Sequence, residues 1–121
     1  MFVDEGPAFQ RLAARIADEI VAGTYPEGTP VPSATDFAVF HQMNPATASK
    51  GVNLLVEIGA LYKKRGIGMF VASGARDLLR SRRREEFRKR YIEPLVREAQ
   101  VLGIDVAELH HMIDEKQEDE S

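Results

Sequence analysis

The chain has 121 residues, of which 44% are hydrophobic and 29% charged, with a formal net charge of −3. That length suits one compact domain, or a small domain with a dimerisation appendage, and the composition is ordinary for a globular protein. No cysteine is present, which excludes disulfides and thiolate metal sites. No apolar run is long enough to span a bilayer, and Met1 to Ala14 lacks the architecture of a signal peptide, so a cytoplasmic protein with no membrane association is expected.

Met1 to Gly6 reads as a loose arm, and Pro7 suits the first turn of a helix, where its missing N–H costs nothing. Phe9, Leu12, Ala13, Ile16 and Ile20 then follow helical spacing, and Gly23 is a natural stop. Residues 23–32, GTYPEGTPVP, are short and bounded by periodic segments, so they form a rigid turn-rich connection, with Val31 placed to make a brief strand beside a later hairpin. Ser33 and Asp36 make a capping box that opens a second helix, to which Phe37, Ala38 and Phe40 contribute apolar contacts. Residues 41–44, HQMN, form a turn, with Asn44 as N-cap and Pro45 at the first position of a third helix running to about Ile58.

In that third helix Ala48, Gly51, Val52, Leu55 and Val56 share one face. Ala46, Thr47, Lys50, Asn53 and Glu57 share the opposite face, with Ser49 at its flank. Small and polar side chains early on an outer face suit close approach to base-pair edges in a DNA major groove, and Gly51 would let two helices pack closely. Gly59 ends the helix. Ala60 to Lys64 and Met69 to Ala72 are predicted strands joined by Arg65-Gly66-Ile67-Gly68, a thin basic turn able to reach a minor groove. Ser33, Thr35 and Asn44 complete the candidate DNA-contacting set of Ala46, Thr47, Ser49, Lys50, Asn53, Lys63, Lys64, Arg65, Gly66, Ile67 and Gly68.

After Gly74 a long helical segment is expected from about Ala75 to Leu102, kinked or split by Pro94 near Tyr91 to Glu93 and stopped by Gly103. Asp105 with Glu108 caps a last amphipathic helix, and Glu118 to Ser121 is expected to fray. Leu79, Phe87, Tyr91, Ile92, Leu95, Val96, Ala99, Leu102, Leu109 and Met112 are the candidate dimerisation residues, because so short a segment cannot build a private core and must cover the first domain or a second protomer. The fold class is therefore mainly α with a small β-hairpin wing: a winged helix-turn-helix domain over residues 1–73 and a helical dimerisation domain with an acidic tail over residues 74–121.

Charge is unevenly spread. Arg76, Arg80, Arg82, Arg83, Arg84, Arg88, Lys89 and Arg90 crowd one stretch, whereas residues 104–121 carry Lys116 alone against many acids, so the acidic total comes from the tail and not from the reading head. Arg82 to Arg84 read either as flanking DNA contacts or as a solvated face. His110 and His111 are neighbours in sequence and point apart on a helix, which makes them an interface or surface pair and not a metal site. Tyr91, Phe87 and Met112 fit a dimer core or a small-molecule effector pocket. No nucleophile–base–orienter set, phosphate loop or metal-ligand spacing occurs, so an enzyme, a resident cofactor and a metal are not expected.

The run GTYPEGTPVPS, a helix, and then NPATASKGVNLLVEIGALYKKRGIGMFVA resemble the N-terminal domain of GntR-type transcriptional regulators over about residues 7 to 72. The short helical extension resembles the YtrA-type subfamily. The resemblance implies a homodimeric repressor of double-stranded DNA, binding a palindromic operator, often beside transporter genes. Two positions depart from the family pattern: Thr35 and Ser49 stand where arginines are common. Direct guanine readout by bidentate Arg is therefore not expected from this helix, and Thr47, Lys50 and Asn53 remain as base-reading candidates. The competing reading is a winged-helix adaptor that binds protein and has little affinity for DNA.

Overall fold

The computed structural model describes residues 6–120, so residues 1–5 of the expected arm Met1 to Gly6, and the last residue, lie outside it. The elements are α1 (Ala8–Ala22), β1 (Pro30–Val31), α2 (Ala34–Phe40), α3 (Pro45–Glu57), β2 (Leu61–Lys64), β3 (Gly68–Val71), α4 (Ala75–Phe87), a π-helical turn (Arg88–Ile92), α5 (Glu93–Leu102) and α6 (Val106–Glu120). Contacts divide the chain into two compact units, one ending at Arg83 and one beginning at Arg84. That division falls inside α4 and not at residues 73/74, because Ala75 and Leu79 from the first turns of α4 belong to the core of the first unit.

In the first unit, α1 ends as expected. Gly23 takes a left-handed φ of 89°, and its N–H reaches the carbonyls of Glu19 and Ile20. The Pro/Gly-rich connection is held to the sheet: the Gly28 N–H donates to Val71 O at 2.8 Å and the Val71 N–H to Thr29 O at 3.0 Å. β1 then pairs antiparallel with β3, Val31 opposite Met69, so the brief strand expected at Val31 forms beside the hairpin. The sheet order is β1-β3-β2, all antiparallel.

The apolar stripe of α1, Leu12, Ile16 and Ile20, packs with Phe37 and Ala38 of α2, with Ala48, Val52 and Leu55 of α3, and with Leu61 and Val71 of the sheet. Burial of these side chains is the main stabilising term, each fully buried aliphatic contributing roughly 1.5–3 kcal/mol. Gly51 earns its place at the α1–α3 crossing. A Cβ there would lie 2.7 Å from the Phe9 carbonyl oxygen, closer than real side chains come. Phe40 does not join the core. It is 67% exposed and its neighbour Val39 70%, because the buried face of this short helix is filled by Phe37 and Ala38.

The N-terminal turns of α4 are tied to the rest of the first unit by polar contacts. The Glu27 carboxylate accepts from the Gly74 N–H. Arg76 Nε donates to Val21 O at 2.8 Å, and Arg83 pairs with Asp18 at 2.7 Å. Tyr25 lies against the core, and its hydroxyl pKa is raised by burial and by the charge of Glu19.

In the second unit Pro94 interrupts the long helix as expected, but by a specific device. It sits in the first turn of α5, and the preceding residues Arg88–Ile92 widen into a π-helical turn instead of breaking. Widening the turn accommodates a proline ring that would clash with the carbonyl four residues back. Arg88 hydrogen-bonds Glu85 at 2.5 Å, and this bond is the main cause holding the Glu85 carboxyl below its usual range. Gly103 ends α5 with a left-handed φ of 72°. Asp105 caps α6 by accepting from the Glu108 N–H at 2.8 Å. The expected fraying of the tail is not seen among the described residues: α6 continues to Glu120, with Lys116 reaching Glu120 at 3.3 Å.

Candidate nucleic-acid interface

The reading head starts from two caps. Ser33 Oγ accepts from the Asp36 N–H at 3.1 Å and the Asp36 carboxylate accepts from the Ser33 N–H at 3.3 Å, completing the capping box of α2. Asn44 Oδ1 accepts from the Ala46 N–H at 2.8 Å, with Pro45 at the first position of α3. Both side-chain acceptors are thus used locally to start helices, which leaves the Ser33 hydroxyl hydrogen and the Asn44 amide N–H groups to face a ligand. Between the helices Gln42 takes a φ of 51°, a left-handed conformation uncommon outside glycine, and the Met43 N–H bonds Ala38 O at 2.9 Å to close the turn.

On α3 the buried face is Ala48, Gly51, Val52 and Leu55. Ala46, Ser49, Lys50 and Asn53 are exposed, while Thr47 is half-buried at the edge of the outer face. Thr35 on α2 is exposed as well. Lys50 has a ring partner. Its Nζ lies 4.1 Å from the centre of the Phe9 ring of α1, a cation–π contact at the exposed edge of the helix. The sequence marked Phe9 only as a core residue of α1, since nothing in local spacing pairs it with a lysine 41 positions later.

The second part of the head is the β2–β3 hairpin. Lys64 pairs with Gly68, so Arg65, Gly66 and Ile67 form the loop, closed by the Ile67 N–H donating to Lys64 O at 2.9 Å. Gly66 has φ 77° and Gly68 φ 142°, backbone conformations that glycine adopts without strain. Lys63, Lys64 and Arg65 are exposed, and Ile67 is 73% exposed at the tip. Tyr62 and Phe70 face each other across the strands with ring centres 5.8 Å apart, and Lys64 Nζ lies 4.7 Å from the Phe70 ring centre. This stack stiffens the ribbon, and the strand alternation that creates it was legible once the register was known.

α3 runs into the hairpin through Gly59 and the buried Ala60, whose N–H bonds Leu55 O at 2.9 Å. The helix face and the wing therefore belong to one unit, carrying Lys50, Lys63, Lys64 and Arg65 with few acids nearby in sequence. Such a surface attracts phosphate and offers donors and acceptors to base edges. The other sequence-marked groups lie elsewhere. Among the expected dimerisation residues Leu79 is buried in the first unit's own core at 4% exposure, because α4 begins as a core helix. Ala99 is also buried, whereas Phe87, Tyr91, Ile92, Leu95, Val96, Leu102 and Met112 are exposed and Leu109 is half-buried. His111 pairs with Glu115 at 3.0 Å along α6, and no group of three or more potential metal ligands occurs among the described residues.

Solved structures share this arrangement. A transcriptional regulator of the GntR family from Bacteroides thetaiotaomicron is 35% identical, covering 95% of this chain and 100% of that one, with a TM-score of 0.81. The chain belongs to the GntR family. It is therefore a transcriptional regulator by family, a class without enzymatic activity. A GntR family regulator from Listeria monocytogenes is 25% identical over 94% of this chain and 98% of that chain, with a TM-score of 0.71. BusR from Streptococcus agalactiae, solved in complex with its busAB-promotor DNA, matches at 23% identity over 95% of this chain and 57% of that chain, with a TM-score of 0.56, a likeness of fold. No family model and no curated protein matches the chain. No helix among the described residues is long and apolar enough to cross a membrane.

Proposed function

We propose that this GntR-family chain is a sequence-specific DNA-binding regulator that acts as a homodimeric repressor at a palindromic operator. The observation that carries the reading is the pairing, in one compact unit, of a capped helix with an exposed small-polar face and a cation-bearing glycine hairpin. In this reading Thr47, Lys50 and Asn53 meet base edges in the major groove. Ser33, Thr35, Asn44, Ala46 and Ser49 lie along the approaching backbone, and Lys63, Lys64, Arg65, Gly66, Ile67 and Gly68 occupy the adjacent minor groove. The promoter complex of BusR, which shares the fold, supports a DNA partner.

The helical segment after the wing is the dimerisation domain in this proposal, since Phe87, Tyr91, Leu95 and Val96 leave an apolar stripe exposed on one chain. The YtrA-like assignment, a transporter operon as target and a small-molecule effector acting on the angle between two reading heads belong to the same proposal. A cytoplasmic location follows from a chromosomal target.

The test is fluorescence anisotropy on a duplex selected from a random pool by the full chain, with Lys50→Ala and Arg65→Ala beside wild type. Lys50→Ala is expected to weaken the selected duplex at least tenfold more than a scrambled one, and Arg65→Ala to weaken both and flatten the salt dependence. Absence of any selected sequence, with negligible affinity even at low salt, would favour the protein-binding adaptor. The exposed Val39 and Phe40 on α2 and the missing arginines at Thr35 and Ser49 are the features on that side.

A further inference from the structure

Ile67 stands apart among the exposed apolar side chains of the first unit. It is 73% exposed and sits at the end of the three-residue loop Arg65-Gly66-Ile67, a β-branched apolar side chain turned to solvent. Its two neighbours are glycines, and a Cβ built on either would meet nothing within 4 Å. No packing among the described residues therefore demands that 66 and 68 be small, although their positive φ favours glycine on its own account. The outcome is a tip one side chain wide. Behind it the Tyr62–Phe70 stack and the Lys64 ammonium over Phe70 brace the ribbon, and Lys63, Lys64 and Arg65 set cations on its shoulders. The Ile67 side chain is itself stiff at χ1, so little freedom is lost when it is confined.

We propose that Ile67 is an apolar wedge that enters the minor groove and partly unstacks one base step, making this residue a determinant of specificity through DNA deformability. The inference rests on the DNA-binding reading and deepens it. Cations on the wing draw it to the phosphates, and the bare isoleucine, which has no donor or acceptor, contributes only by displacing water and prising a step apart. The steps that yield at least cost are pyrimidine–purine steps, TA and CA/TG, so the wedge selects such a step at a fixed distance from the half-site read by α3. Specificity then appears at a base pair that no side chain hydrogen-bonds.

The experiment uses the full chain and duplexes that it selects from a randomised pool, end-labelled with a dye pair that reports bending by energy transfer. Wild type is expected to enrich one flexible step per half-site and to bend the duplex by on the order of 20° or more. Ile67→Ala and Ile67→Gly are expected to lose the step preference, to straighten the duplex and to bind it about fivefold to tenfold more weakly. The salt dependence should be unchanged because no charge is removed. Ile67→Val, which keeps the branched apolar tip, should restore most of the bend. A selected duplex whose step preference and bend are the same with Ile67→Ala overturns the wedge while leaving DNA recognition by α3 intact. If no duplex is selected at all, both the wedge and the reading beneath it fail.

Discussion

At Gly51 the helices α1 and α3 meet so closely that one methyl group decides the fit: the added carbon would stand 2.7 Å from backbone, which cannot rotate away. Gly51→Ala is therefore expected to destabilise the first unit by about 1–3 kcal/mol, an overpacking cost that outweighs the usual helical advantage of alanine. Urea unfolding followed by circular dichroism checks the direction, and a more stable variant would contradict the close crossing. Gln42 poses the opposite case. Its φ of 51° is tolerated and not preferred, so Gln42→Gly is expected to be neutral or stabilising by up to about 1 kcal/mol in the same measurement. Gly51 was legible in the sequence because a glycine inside a strong apolar face asks for a packing reason. The strain at Gln42 was not, because glutamine carries no turn signal, and the partnership of Lys50 with Phe9 is a tertiary contact that no local pattern encodes.

Elements are more legible in the sequence than single residues. The capping box at Ser33, the Asn44-Pro45 start of α3 and the glycine stops all express local backbone chemistry, and each forms where the sequence placed it. Tertiary context overrides these local signals elsewhere. Hydrophobicity alone puts Phe40 beside Phe37 and Ala38 as an apolar contact of α2, but the helix is only long enough to bury Phe37 and Ala38. Spacing alone places Leu79 on a dimer face although it continues the core of the first unit, because periodicity cannot say which neighbour a helix turns toward. Pro94 announced an interruption, and its form as a π-helical turn depended on the carbonyls upstream.

Each cation that neutralises a phosphate contributes close to one unit of salt dependence, so Arg65→Ala should lower the slope of log affinity against log salt by about one per protomer. An unchanged slope in anisotropy titrations would remove Arg65 from the phosphate-contacting set.

For the whole molecule, the proposed dimer rests on the exposed apolar residues of the helical segment that follows the wing. Leu95→Asp, placed on the stripe with Val96, is expected to convert a dimer to a monomer in sedimentation velocity while leaving the melting of the first unit unchanged. Operator affinity should fall more than 100-fold, because two heads on one duplex gain from effective concentration. A wild-type chain that sediments as a monomer at micromolar concentration would contradict the dimerisation proposal.

Recognition of a particular DNA sequence by α3 and the wing is tested most directly by binding of the purified chain to the intergenic DNA upstream of its own gene, beside an unrelated duplex of equal length, over a salt series. Binding to the upstream DNA that persists at salt concentrations where the unrelated duplex is released is the expected result. Affinity for both duplexes that is negligible even at the lowest salt would contradict the account and leave the winged helix as a protein-binding module.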